Sequence, residues 1–316
     1  MAPTPTPGNE PPSTLMGPGW RPRTRSHAED IGTVWAACGC DDEVSLLRGV
    51  LLTWPGDELA YDGEPADFLM SERPDLSQMR AEALAIAAFY EARGAAVTWI
   101  RPTSKAPPNL VFACDLFFMT PQGAVISRMA AVQRAGEERW VTAALAGAGI
   151  PILATIVGEG TLEGADALWL RPDLVLVGVG RRTNQAGFEQ LRGVLGNQGV
   201  QALAVEIPGT VQHLLGAMNL LDADRAVTWG ATASMNAALA TAGVESIVFE
   251  DNPEVVGGRA LNFVAVGPNE IVMPAGNPNT RSRLEAAGVR CWELEIPNYL
   301  KAEGGLGCLT GILRRG

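Results

Sequence analysis

Histidine is almost missing from this chain. Two occur in 316 residues, His27 and His213. Cysteine is scarce and scattered, at Cys38, Cys40, Cys114, Cys291 and Cys308. No spacing among them resembles a zinc knuckle, and Cys38-Gly-Cys40 is not a CxxC redox pair, so no metal and no dithiol couple is expected. An odd, dispersed set of thiols fits a reducing cytoplasm. Positive charge is also short: 24 Lys and Arg stand against 35 Asp and Glu, a net charge of -11. An acidic protein repels phosphate backbones, so nucleic acid is not an expected partner. The Gly-rich stretch "GEGTLEGAD" lacks the Lys-Ser/Thr ending of a phosphate loop and runs into a strand rather than a helix. The uncharged run from Val141 to Gly158 is broken by Gly147, Gly149 and Pro151. It reads as a helix end followed by the strand "IPILATI", not as a membrane span.

The N-terminus, "MAPTPTPGNEPPSTLMGPGWRPRTRSHAED", has seven prolines by residue 22 and no apolar run. It reads as a disordered arm over residues 1–30 rather than a signal peptide, with His27 solvated beside Arg23 and Arg25. Residues 31–316 form one domain in this reading. A hydrophobic content of 47% provides for a large core.

What the chain does have is a repeat. "SLLRGVLLTWP" is a strand candidate, "LSQMRAEALAIAAFYEARG" has helical spacing ending at Gly94, and "AAVTWIRP" is a second strand. From "NLVFACDLFFMTPQGAVISRMA" onward, a hairpin, a helix and a strand recur every 45 to 50 residues. The later hairpins are "EGADALWLRPDLVLVGV", "HLLGAMNLLDADRAVTWG" and "ALNFVAVGPNEIVMP". Counting the less regular first unit, there are five. A period of this length marks a ring or solenoid, and closure of a ring removes open sheet edges. A doubly wound sheet would alternate one strand per helix, without the extra hairpin strand.

In a ring, polar residues at the hairpin starts converge on the axis. Those starts carry Asp115, Glu163 with Asp166, and His213. The tail "EGGLGCLTG" adds Cys308, with glycines ahead of it where backbone must pass close to a neighbour. Cysteine, histidine and carboxylate together form a nucleophile, a base and an orienting group.

These motifs resemble the guanidine-modifying pentein superfamily of arginine deiminases, dimethylarginine dimethylaminohydrolases and amidinotransferases. "LEGAD" resembles Glu-Gly-Gly-Asp, "GRRTNQAG" resembles Arg-Thr-Asn-x-x-Gly, "HLL" resembles His-Leu-x and "GGLGCLT" resembles Gly-Gly-x-x-Cys-x-Thr. They come in the family's order, and the resemblance runs from about Leu46 to Arg315. It implies a five-bladed, pseudo-symmetric α/β-propeller of ββαβ repeats that needs no cofactor and no metal. By the same resemblance, Cys308 attacks the guanidinium carbon, and Asp115 and Asp166 hold its nitrogens. His213, oriented by Glu163, protonates the leaving amine and then activates water, while Arg128 and Arg182 grip an α-carboxylate. Three positions depart from the family pattern. Cys114 stands for the usual Arg, Ala165 for the second Gly, and Leu215 for an Asp two residues after the histidine.

The expected function is therefore hydrolysis of arginine or an N-substituted arginine through a covalent thiouronium, giving a citrulline-type product and an amine. Amidino transfer to an amine acceptor is the alternative, and a non-catalytic binding ring is a third reading. Leu215 makes part of the pocket apolar and favours N-substituted substrates. The expected partner is a small guanidino compound, with no membrane association. Homodimerisation is left open by the sequence.

Overall fold

The computed structural model describes residues 19–102 and 105–316. Among these residues, fifteen strands build five three-stranded sheets of one common pattern. In each, the first two strands are antiparallel and the last two parallel. The parallel pair needs a crossover, and a helix supplies it. The second blade holds β3 (Phe117–Thr120), β4 (Gly123–Ile126) and β5 (Ile152–Thr155), with the helix Glu137–Gly147 crossing between β4 and β5. The third holds β6 (Ala167–Arg171), β7 (Leu174–Val179) and β8 (Gln201–Glu206) around the helix Gln185–Gly196. The fourth holds β9 (Met218–Leu220), β10 (Arg225–Trp229) and β11 (Glu245–Phe249) around Ala233–Ala242. The fifth holds β12 (Val264–Gly267), β13 (Glu270–Pro274) and β14 (Arg290–Leu294) around Pro278–Ala286.

The irregular first unit has a topological cause. Its sheet joins β1 (Leu47–Thr53) and β2 (Ala96–Ile100), linked by the helix Leu76–Glu91, to β15 (Gly311–Arg315) from the far end of the chain. β15 pairs antiparallel with β1, with Val50 opposite Ile312 and Leu51 opposite Gly311. The tail thus supplies the missing hairpin strand, and the five sheets form a five-bladed α/β-propeller.

Local sequence explains the helix boundaries. Asp75, Asn184 and Thr232 each cap a crossover helix by accepting a backbone N–H, and Gly243 ends the fourth blade's helix in the left-handed region at φ 74°. Apolar side chains pack between blades. Trp169, fully buried, stacks on Phe118 with centroids 5.6 Å apart and donates its indole N–H to the Met119 carbonyl at 3.1 Å.

Two expectations change. "NLVFACD" was expected to open a strand, but Pro108–Val111 and Ala113–Leu116 are short 3-10 turns and the strand starts at Phe117. Pro107 and Pro108 have no N–H to give to a sheet ladder, and the turn aims Asp115 inward. Of the proline-rich arm, residues 1–18 lie outside the described residues. Beyond them, Ser26 and Glu29 form a reciprocal cap on the turn His27–Asp30. His27 is half buried rather than solvated, and its Nε2 donates to the Gln122 carbonyl at 2.9 Å. Among the described residues, no helix is long and apolar enough to cross a membrane.

Candidate active site

A short turn precedes the first strand of every blade, and these turns ring one end of the axis. Asp115 comes from the turn before β3, Glu163 and Asp166 from Gly164–Asp166 before β6, and His213 from the residue before Leu214–Ala217 ahead of β9. Asn262 lies two residues before β12, and Cys308 lies in Leu306–Leu309 before β15. The turns sit backbone against backbone. A Cβ at Gly164 would stand 2.2 Å from the Phe117 carbonyl oxygen and 2.3 Å from that of Cys114. The glycines ahead of Cys308 are pressed instead against side chains, since a Cβ at Gly305 would meet Asn262 Oδ1 at 2.7 Å.

The turns frame one cavity of about 750 Å³ including its mouth, lined by Asp115, Arg182, His213, Leu215 and Cys308 among others. His213 Nε2 lies 2.7 Å from Glu163 Oε2, and its Nδ1 lies 3.9 Å from Asp115 Oδ1. Glu163 is fully buried behind the histidine. Cys308 is half buried. Asn262 donates from Nδ2 to its Sγ at 3.2 Å and accepts its backbone N–H at 3.0 Å.

Arg134, which no sequence motif flagged, is the hub beneath this group. It is 3% exposed, and its Nη1 reaches Asp115 Oδ2 at 2.6 Å and Glu163 Oε2 at 3.4 Å. Its Nη2 binds Glu137 Oε2 at 2.7 Å. The ligand-type atoms of Asp115, Glu163 and His213 lie within 4.8 Å of one another. The Arg134 guanidinium already balances both carboxylates of that group, so the donor set does not fit a metal ion.

The electrostatics follow from this crowding. Burial lowers the His213 pKa, but the Asp115, Glu163 and Asp166 carboxylates outweigh it and push it up to about 9. Glu163 is held well below the usual carboxylate range, despite burial, by His213, Arg134 and Arg182. Burial, together with the charge of Asp115, pushes the Cys308 thiol up, while the Gly305 and Asn262 hydrogen bonds and Arg259 pull it down.

Two expected substrate contacts fall elsewhere. Asp166 does not line the cavity. Its Oδ2 accepts from Thr183 at 2.7 Å and its Oδ1 from the Leu214 N–H at 2.9 Å, so both oxygens anchor the turn that carries His213. Arg128 is exposed, outside the cavity, and donates to the Gly160 carbonyl at 3.0 Å. Arg182 does line the cavity, 3.5 Å from Glu163, with Nη2 on Gln212 at 3.0 Å. Three buried polar atoms of the lining residues have no hydrogen-bond partner: Asp115 Oδ1, Asn109 Oδ1 and Arg182 Nη1. Buried groups of this kind are costly unless a ligand completes them.

A family model described as arginine deiminase matches residues 91–241. The dimethylarginine dimethylaminohydrolase of Streptomyces coelicolor is 30% identical over 209 residues, covering 66% of this chain and 75% of that protein. The enzyme of the same name from Pseudomonas aeruginosa is 26% identical over 209 residues, covering 66% of this chain and 78% of the other. A solved structure of the latter, a cysteine-to-serine mutant complexed with citrulline, superimposes with a TM-score of 0.70 at 22% identity, covering 84% of this chain and 99% of that one. The chain belongs to the pentein superfamily, on its dimethylarginine dimethylaminohydrolase-like side.

Proposed function

We propose that the protein is a cysteine-dependent hydrolase of arginine derivatives, releasing an amine and leaving a citrulline-type product. The observation that carries this is the pair of orphaned acceptors, Asp115 Oδ1 and Asn109 Oδ1, on residues that line the same cavity as Cys308. Two acceptors without donors suit a planar cation with N–H groups on several edges.

In this reading the guanidinium docks against Asp115, and its charge stabilises the Cys308 thiolate that burial opposes. The sulfur attacks the guanidinium carbon. His213, protonated at neutral pH, gives its proton to the leaving nitrogen, and the C–N bond breaks to leave a thiouronium on Cys308. Neutral His213 then takes a proton from water as its oxygen attacks that carbon. Collapse expels the Cys308 thiolate and forms the ureido product. Asn262 holds the sulfur in place. All five cysteines are free thiols, which favours a reducing compartment such as the cytoplasm. The relatives named as hydrolases make amidino transfer the weaker reading.

The test is a mass spectrum of the protein quenched during turnover of arginine and N-methylarginine, with the products assayed alongside. The expected result is a substrate-derived adduct on Cys308, with citrulline and amine released and no adduct on Cys308→Ser. Ornithine release that depends on an acceptor amine would favour transfer instead. Turnover in Cys308→Ser would remove the mechanism.

A further inference from the structure

Only four non-glycine residues among those described have positive φ: Leu69 at 61°, Arg259 at 51°, Asn269 at 58° and Glu303 at 72°. Three of them, Leu69, Arg259 and Glu303, line the catalytic cavity. Side-chain-bearing residues in the left-handed region carry strain, and such strain gathers where a binding site needs it. Two of the three are oppositely charged and paired to each other: Arg259 Nη2 binds Glu303 Oε2. Their side chains are 34% and 33% exposed, so the pair is reachable from solvent. Glu303 immediately precedes the glycines that lead to Cys308. Arg259 belongs to the turn whose Asn262 holds the thiol, and its charge is felt at the Cys308 sulfur.

We propose that Arg259 and Glu303 form a clamp for the α-amino acid end of the substrate, Arg259 reading its carboxylate and Glu303 its ammonium. This rests on the hydrolase reading above. In the resting protein the two side chains neutralise each other. On binding, the pair opens: Arg259 takes the substrate carboxylate and Glu303 takes its ammonium. A half-exposed ion pair contributes little to stability, so exchanging it for two new ion pairs of the same kind costs little. A ligand with only one of the two charges would engage one clamp residue and leave the other without a partner. The clamp therefore discriminates by matching both charges. It also accounts for the position of Arg128, which lies outside the cavity and leaves the carboxylate to Arg182 and Arg259.

The experiment measures kcat/KM for N-methylarginine, its decarboxylated analogue and its Nα-acetyl analogue, with thermal melts on each protein. Wild type is expected to prefer the zwitterion. Arg259→Gln should reduce the preference over the decarboxylated analogue at least tenfold, and Glu303→Gln the preference over the acetylated one, both through KM. The charge-swapped Arg259→Glu/Glu303→Arg protein separates a clamp from a strut. It restores an ion pair and the melting temperature, but presents each charge to the wrong end of the substrate, so the preference should stay lost. Recovery of the preference in the swapped protein, or single variants within twofold of wild type, overturns the proposal. Calorimetric titration of the same three compounds into Cys308→Ser reads the preference without turnover. A catalytically silent wild type would then count against the hydrolase reading alone, and equal affinities for all three against the clamp.

Discussion

His213 and Glu163 face each other at 2.7 Å in the wall of the ring, donated by two neighbouring blades and closed off from water on the Glu163 side. The pairing fixes which ring nitrogen meets the carboxylate, and the surrounding acids keep the imidazole charged to about pH 9. The folded value lies above the ordinary 6.5. The pair therefore stabilises the fold fully below about pH 6.5, and that contribution is lost as pH rises through about 9.

Catalysis should carry the same signature. The alkaline limb of kcat/KM is expected near pH 9, where His213 loses the proton it must donate. His213→Ala should cost at least about a hundredfold in rate. Glu163→Gln should move the alkaline limb down toward the ordinary histidine range and flatten the loss of melting temperature above pH 7. An alkaline limb that stays in place in Glu163→Gln would mean that another group is the acid.

Arg182 and Arg128 are a matched pair for separating contact from resemblance. Both were expected to grip a carboxylate, yet Arg182 lines the cavity, its Nη1 without a hydrogen bond and 3.5 Å from Glu163 Oε1, while Arg128 bonds a backbone carbonyl outside it. Arg182→Ala should raise KM for amino-acid substrates about tenfold or more, since a charge-assisted bond to carboxylate is lost. Arg128→Ala should leave KM within about twofold. Equal effects from the two would show that Arg128 enters the cavity during turnover.

The repeat, the ring and the converging group of Asp115, Glu163, His213 and Cys308 were legible because each depends on local pattern: hairpin signals, helical spacing, or a chemical residue at a fixed place before a strand. What was not legible depends on distance in the fold. β15 closing onto β1 cannot be read from either segment alone. Arg134 lies in an ordinary loop stretch and becomes a hub only once two blades meet. Asn262 could have been found, because it occupies in the fifth blade the place that Asp115 and Cys308 occupy in theirs. Asp166 misled because an acid beside a site looks like a ligand until its two oxygens are found occupied by Thr183 and Leu214.

Arg134 should prove more costly to remove than any surface arginine. It balances Asp115, Glu163 and Glu137, all buried, and Glu137 is already pushed up to about 7 by burial. Arg134→Met leaves those carboxylates without their cation, a loss of about 3–5 kcal/mol by analogy with broken buried pairs. Thermal melts across pH should show the variant recovering stability as pH falls and the acids protonate. If Arg134→Met melts within a few degrees of wild type at pH 8, the hub does not hold the site together.

Leu215 is expected to select among arginine derivatives. It follows His213 by two residues, is 6% exposed, and lines the cavity beside Cys308. It is also packed tightly against the nucleophile's turn, since a Cβ at Gly307 would lie 3.0 Å from Leu215 Cδ2. An Asp there would accept hydrogen bonds from the guanidinium's outer nitrogens. Leucine accepts none, so an unsubstituted guanidinium leaves N–H groups unpaired there, at about 1–3 kcal/mol each. Each N-methyl group removes one such donor and gains about 0.8 kcal/mol by apolar contact. Wild type should therefore favour mono- or dimethylarginine over arginine by about tenfold or more in kcat/KM, and Leu215→Asp should reverse the order. The change introduces a charge into a tight wall, so a melt must accompany the kinetics, with Leu215→Asn as the neutral control. Arginine winning in wild type would overturn the substrate assignment and leave the roles of Cys308, His213 and Glu163 untouched.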